Sequence, residues 1–128
     1  MTEQLSPLAL QALAVVKESG AIIGANHAHP HTIRHKGRID LVTETDIAVE
    51  AFLKERLATL APQAGFLAEE SAEDLSLPDT CWIIDPVDGT TNFAHGLPLT
   101  VTSVAYRLNG EIVLGIVNAP LLRECFIA

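Results

Sequence analysis

Asp85 and Asp88 stand three residues apart around Pro86 and Val87, and Gly89-Thr90-Thr91 follows at once. Paired carboxylates are the hard oxygen ligands that hold Mg2+. Thr90 and Thr91 suit the start of a helix, whose free N–H groups and dipole favour a phosphate. A cation held beside a phosphate cradle is what phosphoester hydrolysis needs. The run in front shows how the pair is delivered. Trp82-Ile83-Ile84 is a short apolar run, the mark of a buried strand. Pro86 cannot donate a backbone hydrogen bond and is expected to end that strand, leaving both aspartates on a tight turn. Gly89 lets the chain turn and another group come close. Read alone, Asp-Pro and Asp-Gly are also common loop punctuation.

The twelve residues from Trp82 to Phe93 resemble the signature of the inositol monophosphatase family, in which a strand delivers Asp-Pro-x-Asp-Gly-Thr-x-Asn-Phe to a metal site. Two further stretches resemble the same family. The run from Lys36 to Asp46 is similar to its Lys-Gly-x-x-Asp-Leu-Val-Thr-x-x-Asp segment. Ala68-Glu69-Glu70-Ser71 is similar to its Gly-Glu-Glu-Ser, with Ala68 in place of the family's Gly. Without that resemblance, Asp46 reads as a helix cap partnered with Thr43, and Glu69 and Glu70 read as a first helical turn or a solvated acidic loop.

The resemblance implies Mg2+ as cofactor. Glu69, Asp85 and the backbone carbonyl of Val87 would hold one ion, and Asp85 with Asp88 a second. Glu69 and Thr90, with Asp46 behind Thr90, would orient and deprotonate the attacking water. Asp88 and the N–H groups of Gly89 and Thr90 would bind the substrate phosphate, and Lys36 would lie at the metal site. The implied reaction is hydrolysis of a small phosphorylated polyol, inositol monophosphate foremost, with lithium inhibition. Two other readings stay open: a superfamily phosphatase acting on a sugar or nucleotide bisphosphate, and a truncated, non-catalytic module that keeps the fold.

Composition narrows the field. Of 128 residues, 48% are hydrophobic and 19% charged, which suits a folded domain and excludes a disordered chain. The net charge of −8 offers no basic cluster to neutralise nucleic acid or an anionic membrane. A phosphorylated small molecule stays admissible, because bound cations reverse the local sign. No apolar run is expected to approach a membrane span. An acidic start, Met1-Thr2-Glu3-Gln4, argues against export and for a cytoplasmic protein. Cys81 and Cys125 have no metal-site spacing and are expected to be reduced thiols. His27, His29, His31 and His35 surround Pro30, which breaks regular helical ligand spacing, so they read as a solvated loop.

The positioning elements follow from pattern. Ser6-Pro7 opens a helix running to about Ala28, with Gly20 and Gly24 either interrupting its pattern or marking a close crossing with another element. Ile39 to Val42 reads as extended. A second helix is expected from Asp46 to near Leu60, buried along Val49, Leu53, Leu57 and Leu60. Gly65–Ala68 should be a strand. Leu99–Leu108 and Glu111–Asn118 should pair across Asn109-Gly110, with Ile112, Leu114 and Ile116 on one face and Val113 and Val117 on the other. Arg123–Ala128 should begin another strand. The fold class is α+β: two helices on an antiparallel-rich sheet, as in the N-terminal domain of the sugar-phosphatase fold. Residues 1–128 are expected to be one domain, equivalent to the first half of the family pattern. The family's later Trp-Asp-x-Ala-Ala-Gly-type motif has no match here. The expected assembly is a homodimer or a complex with a missing C-terminal half.

Overall fold

The computed structural model describes residues 6–27, 35–68, 78–89 and 97–128, with the backbone alone at 27, 35–43 and 68. Two helices, α1 (Pro7–His27) and α2 (His35–Leu60), precede β1 (Gly65–Ala68), β2 (Cys81–Asp88), β3 (Val101–Leu108), β4 (Glu111–Ala119) and β5 (Glu124–Ile127). These strands form one sheet in the order β1-β2-β3-β4-β5. β1 is parallel to β2, and the later neighbours are antiparallel. The α+β expectation therefore holds: two helices pack on a mostly antiparallel sheet.

Ser6 caps α1 through its side chain, accepting the Ala9 N–H at 3.1 Å. Pro7 follows at the first turn, where a missing N–H leaves no bond unmade. Ala12, Val16, Ser19, Gly20 and Ile23 form the buried ridge of α1. By length and composition Pro7–Asn26 is long and apolar enough to cross a bilayer, which corrects the expectation that no run approaches a span. In the fold, Ala12, Val16 and Ile23 of that stretch are fully buried in the core shared with α2 and the sheet. Gly20 marks a close crossing, since a Cβ there would stand 2.8 Å from Pro120 Cβ. Gly24 does not: a Cβ there meets nothing within 4 Å among the described residues.

α2 begins at His35, so the extended piece expected at Ile39–Val42 and the cap expected at Thr43 both lie inside a helix. A Thr-x-x-Asp pattern caps only where the preceding residues leave the helix. Lys36, Arg38 and Leu41 are good helix formers, and no proline interrupts the run. Thr45, Val49, Leu53 and Leu57, followed by Ala61, recur every four residues and are all buried. This ridge packs against β2 and α1.

Trp82 and Ile84 of β2, Val104 and Tyr106 of β3, and Leu114 and Ile116 of β4 meet the helices in one core. Trp82 and Tyr106 are paired across the strands, with ring centroids 4.4 Å apart. The β3–β4 turn puts Asn109 at φ 51° and Gly110 at φ 85°, the two left-handed positions of a type I′ hairpin. Opposite the step from Tyr106 to Arg107, β4 advances two residues, from Leu114 to Ile112. This bulge takes Ile112 out of phase with Leu114 and Ile116, so it is exposed and does not share their face. Both cysteines are free thiols, as expected.

Candidate active site

The strand carrying the carboxylates does not end at Pro86. β2 continues through it to Asp88, and the register shows how. Asp85 lies opposite Ser103 and Asp88 opposite Val101, so β2 advances three residues while β3 advances two. That is a β-bulge, one of the few sheet positions where proline is accommodated. The expected tight turn is therefore replaced by a bulged strand. Its effect is chemical. In a regular strand, residues three apart point to opposite faces. The extra residue restores parity, so Asp85 and Asp88 share the face of Ser103 and Val101. Trp82, Ile84, Val104 and Thr102 occupy the other face, and Pro86 and Val87 are buried. Two carboxylates thus stand together at one strand end, on the side of the sheet away from α1 and α2. Gly89 follows at φ 88°, a conformation that favours glycine, so the chain leaves the strand by a sharp turn.

The other expected site residues are placed unevenly. Asp46 is half-buried in the middle of α2, so it is not a helix cap. Its neighbour Thr45 is fully buried and accepts a hydrogen bond from Asn26 Nδ2 at 2.6 Å, tying α1 to α2 beside Asp46. Lys36 lies in the first turn of α2, where the backbone alone is described. Glu69, Glu70 and Thr90 lie outside the described residues; β1 delivers the chain to Glu69 and Gly89 delivers it to Thr90. The structure thus brings Asp85, Val87, Asp88 and Gly89 together.

Three buried polar residues at this end of the sheet were not singled out from the sequence. Thr100 and Thr102 are fully buried, and Asn118, opposite Thr102, is nearly so. Thr102 Oγ1 donates to the Pro86 carbonyl at 2.8 Å. Thr100 Oγ1 has no partner among the described residues. The signal was in the sequence, since Thr100 and Thr102 stand in phase with Val104 and Tyr106 at positions where an alternating strand would carry apolar side chains.

A hard divalent cation fits these donors. Two co-facial carboxylates and a nearby backbone carbonyl are all oxygen ligands, with no soft sulfur or imidazole among them. Among the described residues no group of three or more His, Cys, Asp or Glu side chains converges.

The model of the inositol monophosphatase family matches residues 4–128. This chain belongs to that family. It is 45% identical over 121 residues to an inositol monophosphatase of Dictyostelium discoideum, covering 91% of this chain and 44% of that protein. It is 43% identical over 89 residues to a fructose-1,6-bisphosphatase/inositol-1-monophosphatase of Thermotoga maritima, covering 70% of this chain and 34% of that protein. In fold it is similar to the crystal structure of inositol monophosphatase II from Staphylococcus aureus, with TM-score 0.80, 27% identity, and coverage of 94% of this chain and 45% of that one. The chain spans about half the length of the family members it matches.

Proposed function

We propose that this chain carries the carboxylate half of a Mg2+-dependent phosphomonoesterase site, and that the substrate is a small phosphorylated polyol, inositol monophosphate foremost. One observation carries the reading: the bulge in β2 turns Asp85 and Asp88 onto one face beside the sharp turn at Gly89. Asp85, Asp88, the Val87 carbonyl and Glu69 would hold the cation, which when bound neutralises phosphate charge and activates water. Glu69 and Thr90 would orient the attacking water, and its proton would pass to a carboxylate, to Glu69 directly or to Asp46 as the Thr90 hydroxyl hands on its own. The N–H groups of Gly89 and Thr90 hold the phosphate oxygens, which suits fixed dipoles aimed at developing negative charge. In this reading Lys36 approaches the metal site from the start of α2, and lithium inhibits.

A bisphosphate is the second reading, favoured by the name of the Thermotoga maritima relative, a fructose-1,6-bisphosphatase/inositol-1-monophosphatase. The test is phosphate release from inositol monophosphate and from a panel of sugar and nucleotide bisphosphates. It is run with and without Mg2+, on the chain alone and with a C-terminal half supplied in trans. Metal-dependent release from the monophosphate is the expected result. Release that ignores Mg2+, or none in any arm, sinks the proposal.

A further inference from the structure

Between Asp85 and Asp88 the backbone of β2 holds one residue more than β3 does opposite it. A bulge forfeits ladder hydrogen bonds, and Pro86 has no N–H to offer. Its carbonyl still needs a donor, and the donor is a side chain: Thr102 Oγ1, at 2.8 Å. Thr102 is fully buried, and Pro86 is buried too. At such a position valine would match the shape without bringing a polar group out of water, whereas a buried hydroxyl is unfavourable unless bonded.

We propose that Thr102 is a positioning residue for the phosphatase site, holding the bulge that turns Asp85 and Asp88 onto one face. The proposal rests on reading those two aspartates as the metal carboxylates. Two torsions at Pro86 set how Asp85 is directed relative to Val87 and Asp88. The pyrrolidine ring locks the first, φ. The second, ψ, rotates the Pro86 carbonyl, and the Thr102 hydroxyl fixes that carbonyl. The same peptide unit leads into Val87, whose own carbonyl is a proposed ligand. Thr102 touches neither metal nor substrate; it acts through the backbone between the ligands.

The experiment compares Thr102→Val, which keeps the shape and removes the hydroxyl, with Thr102→Ser, which restores it. Mn2+ binding to the 128-residue chain is followed by electron paramagnetic resonance, and thermal melting without metal is recorded alongside. Asp85→Asn serves as the reference for loss of a direct ligand. The expected result is Mn2+ binding about 10- to 100-fold weaker in Thr102→Val, the usual effect of losing a group that orients metal ligands. Thr102→Ser should bind and melt like the parent, whereas Thr102→Val should also melt lower without metal, because the Pro86 carbonyl loses its donor. If the valine variant does not fold, Thr102→Cys, with a much weaker donor, takes its place with the same expected loss. Parent-like Mn2+ affinity in a folded variant lacking the hydroxyl overturns the proposal. So does an equal loss in the serine variant, which would assign the effect to packing. A parent chain whose Mn2+ binding is absent or unchanged by Asp85→Asn overturns the metal-site reading itself, an outcome distinct from the other two.

Discussion

At the scale of single residues, Asp88 carries most of the weight. Asp88→Asn keeps the shape of the side chain and the bulge while removing one negative charge from the proposed ligand set. Metal-dependent turnover should fall by orders of magnitude, as for a group that works mainly in the transition state. Steady-state phosphate release at saturating Mg2+ checks it, and near-parent turnover removes Asp88 from the site. The aspartates were legible in the sequence because a rare combination marked them: an apolar run, Asp-Pro, and Asp-Gly-Thr. Their geometry was not, because proline reads as a strand end unless the register of the opposing strand is known. The two thiols allow a separate check on burial. Burial pushes the Cys81 thiol above its ordinary range, against the opposing pull of Arg107. Burial does the same to Cys125, against Lys17. A raised folded value favours the protonated, folded state. This stability is fully present below the ordinary thiol value and is lost as pH rises through the folded one. Urea midpoints should therefore fall as pH rises above the ordinary thiol value of about 8.5. Cys81→Ala should show a smaller fall than the parent, and an equal fall would mean that other groups cause it.

At the scale of elements, the two helical glycines of α1 make opposite predictions from the same substitution. Gly20→Ala drives a methyl group to within 2.8 Å of Pro120 Cβ, where α1 crosses the end of β4. Overpacking of that kind costs about 1–3 kcal/mol. Gly24→Ala meets open space among the described residues. It should stabilise by up to about 1 kcal/mol, the helix propensity difference. Chemical denaturation of the two variants decides it, and a stable Gly20→Ala would mean that α1 does not make this crossing. The sequence showed that a glycine pair interrupts an apolar helix. It could not show which of them is crossed, because the crossing partner lies about a hundred positions away in sequence. The same limit explains the start of α2. Local cap chemistry at Thr43 pointed one way, while the four-residue ridge of Thr45, Val49, Leu53 and Leu57 fixed the helix against β2. The strands were more legible, since Asn109-Gly110 and the alternation around it set both the hairpin and its register. The bulges escaped: one took Ile112 off its expected face, and the other kept Asp85 and Asp88 in a strand where a turn was expected.

At the scale of the whole molecule, the sheet has one face covered and one face open among the described residues. α1 and α2 take Trp82, Ile84, Val104, Tyr106, Leu114 and Ile116. On the other face Val117 is paired with Phe126. Phe126 is 62% exposed, Val113 51% and Val117 38%. Apolar strands on both faces need cover on both. Each such side chain left in water forgoes roughly 1.5–3 kcal/mol of burial, so a few of them rival the whole ~5–15 kcal/mol stability of a domain. β5 is also an edge strand of the sheet and a template for further pairing. The open face is the one that bears Asp85 and Asp88. We propose that a second copy of this chain or a complementary C-terminal half provides that cover. The chain alone is then expected to self-associate, to bind a hydrophobic dye and to hold a divalent cation weakly. Size exclusion with light scattering, repeated with the dye, is the measurement. A monodisperse 13.7 kDa species that binds no dye and melts cooperatively would show that the face needs no partner. Conversely, if a C-terminal half supplied in trans removes the dye signal and tightens Mn2+ binding in the same titration, cover and metal site are coupled. Loss of dye binding with no change in Mn2+ affinity would separate them and place the remaining ligands elsewhere.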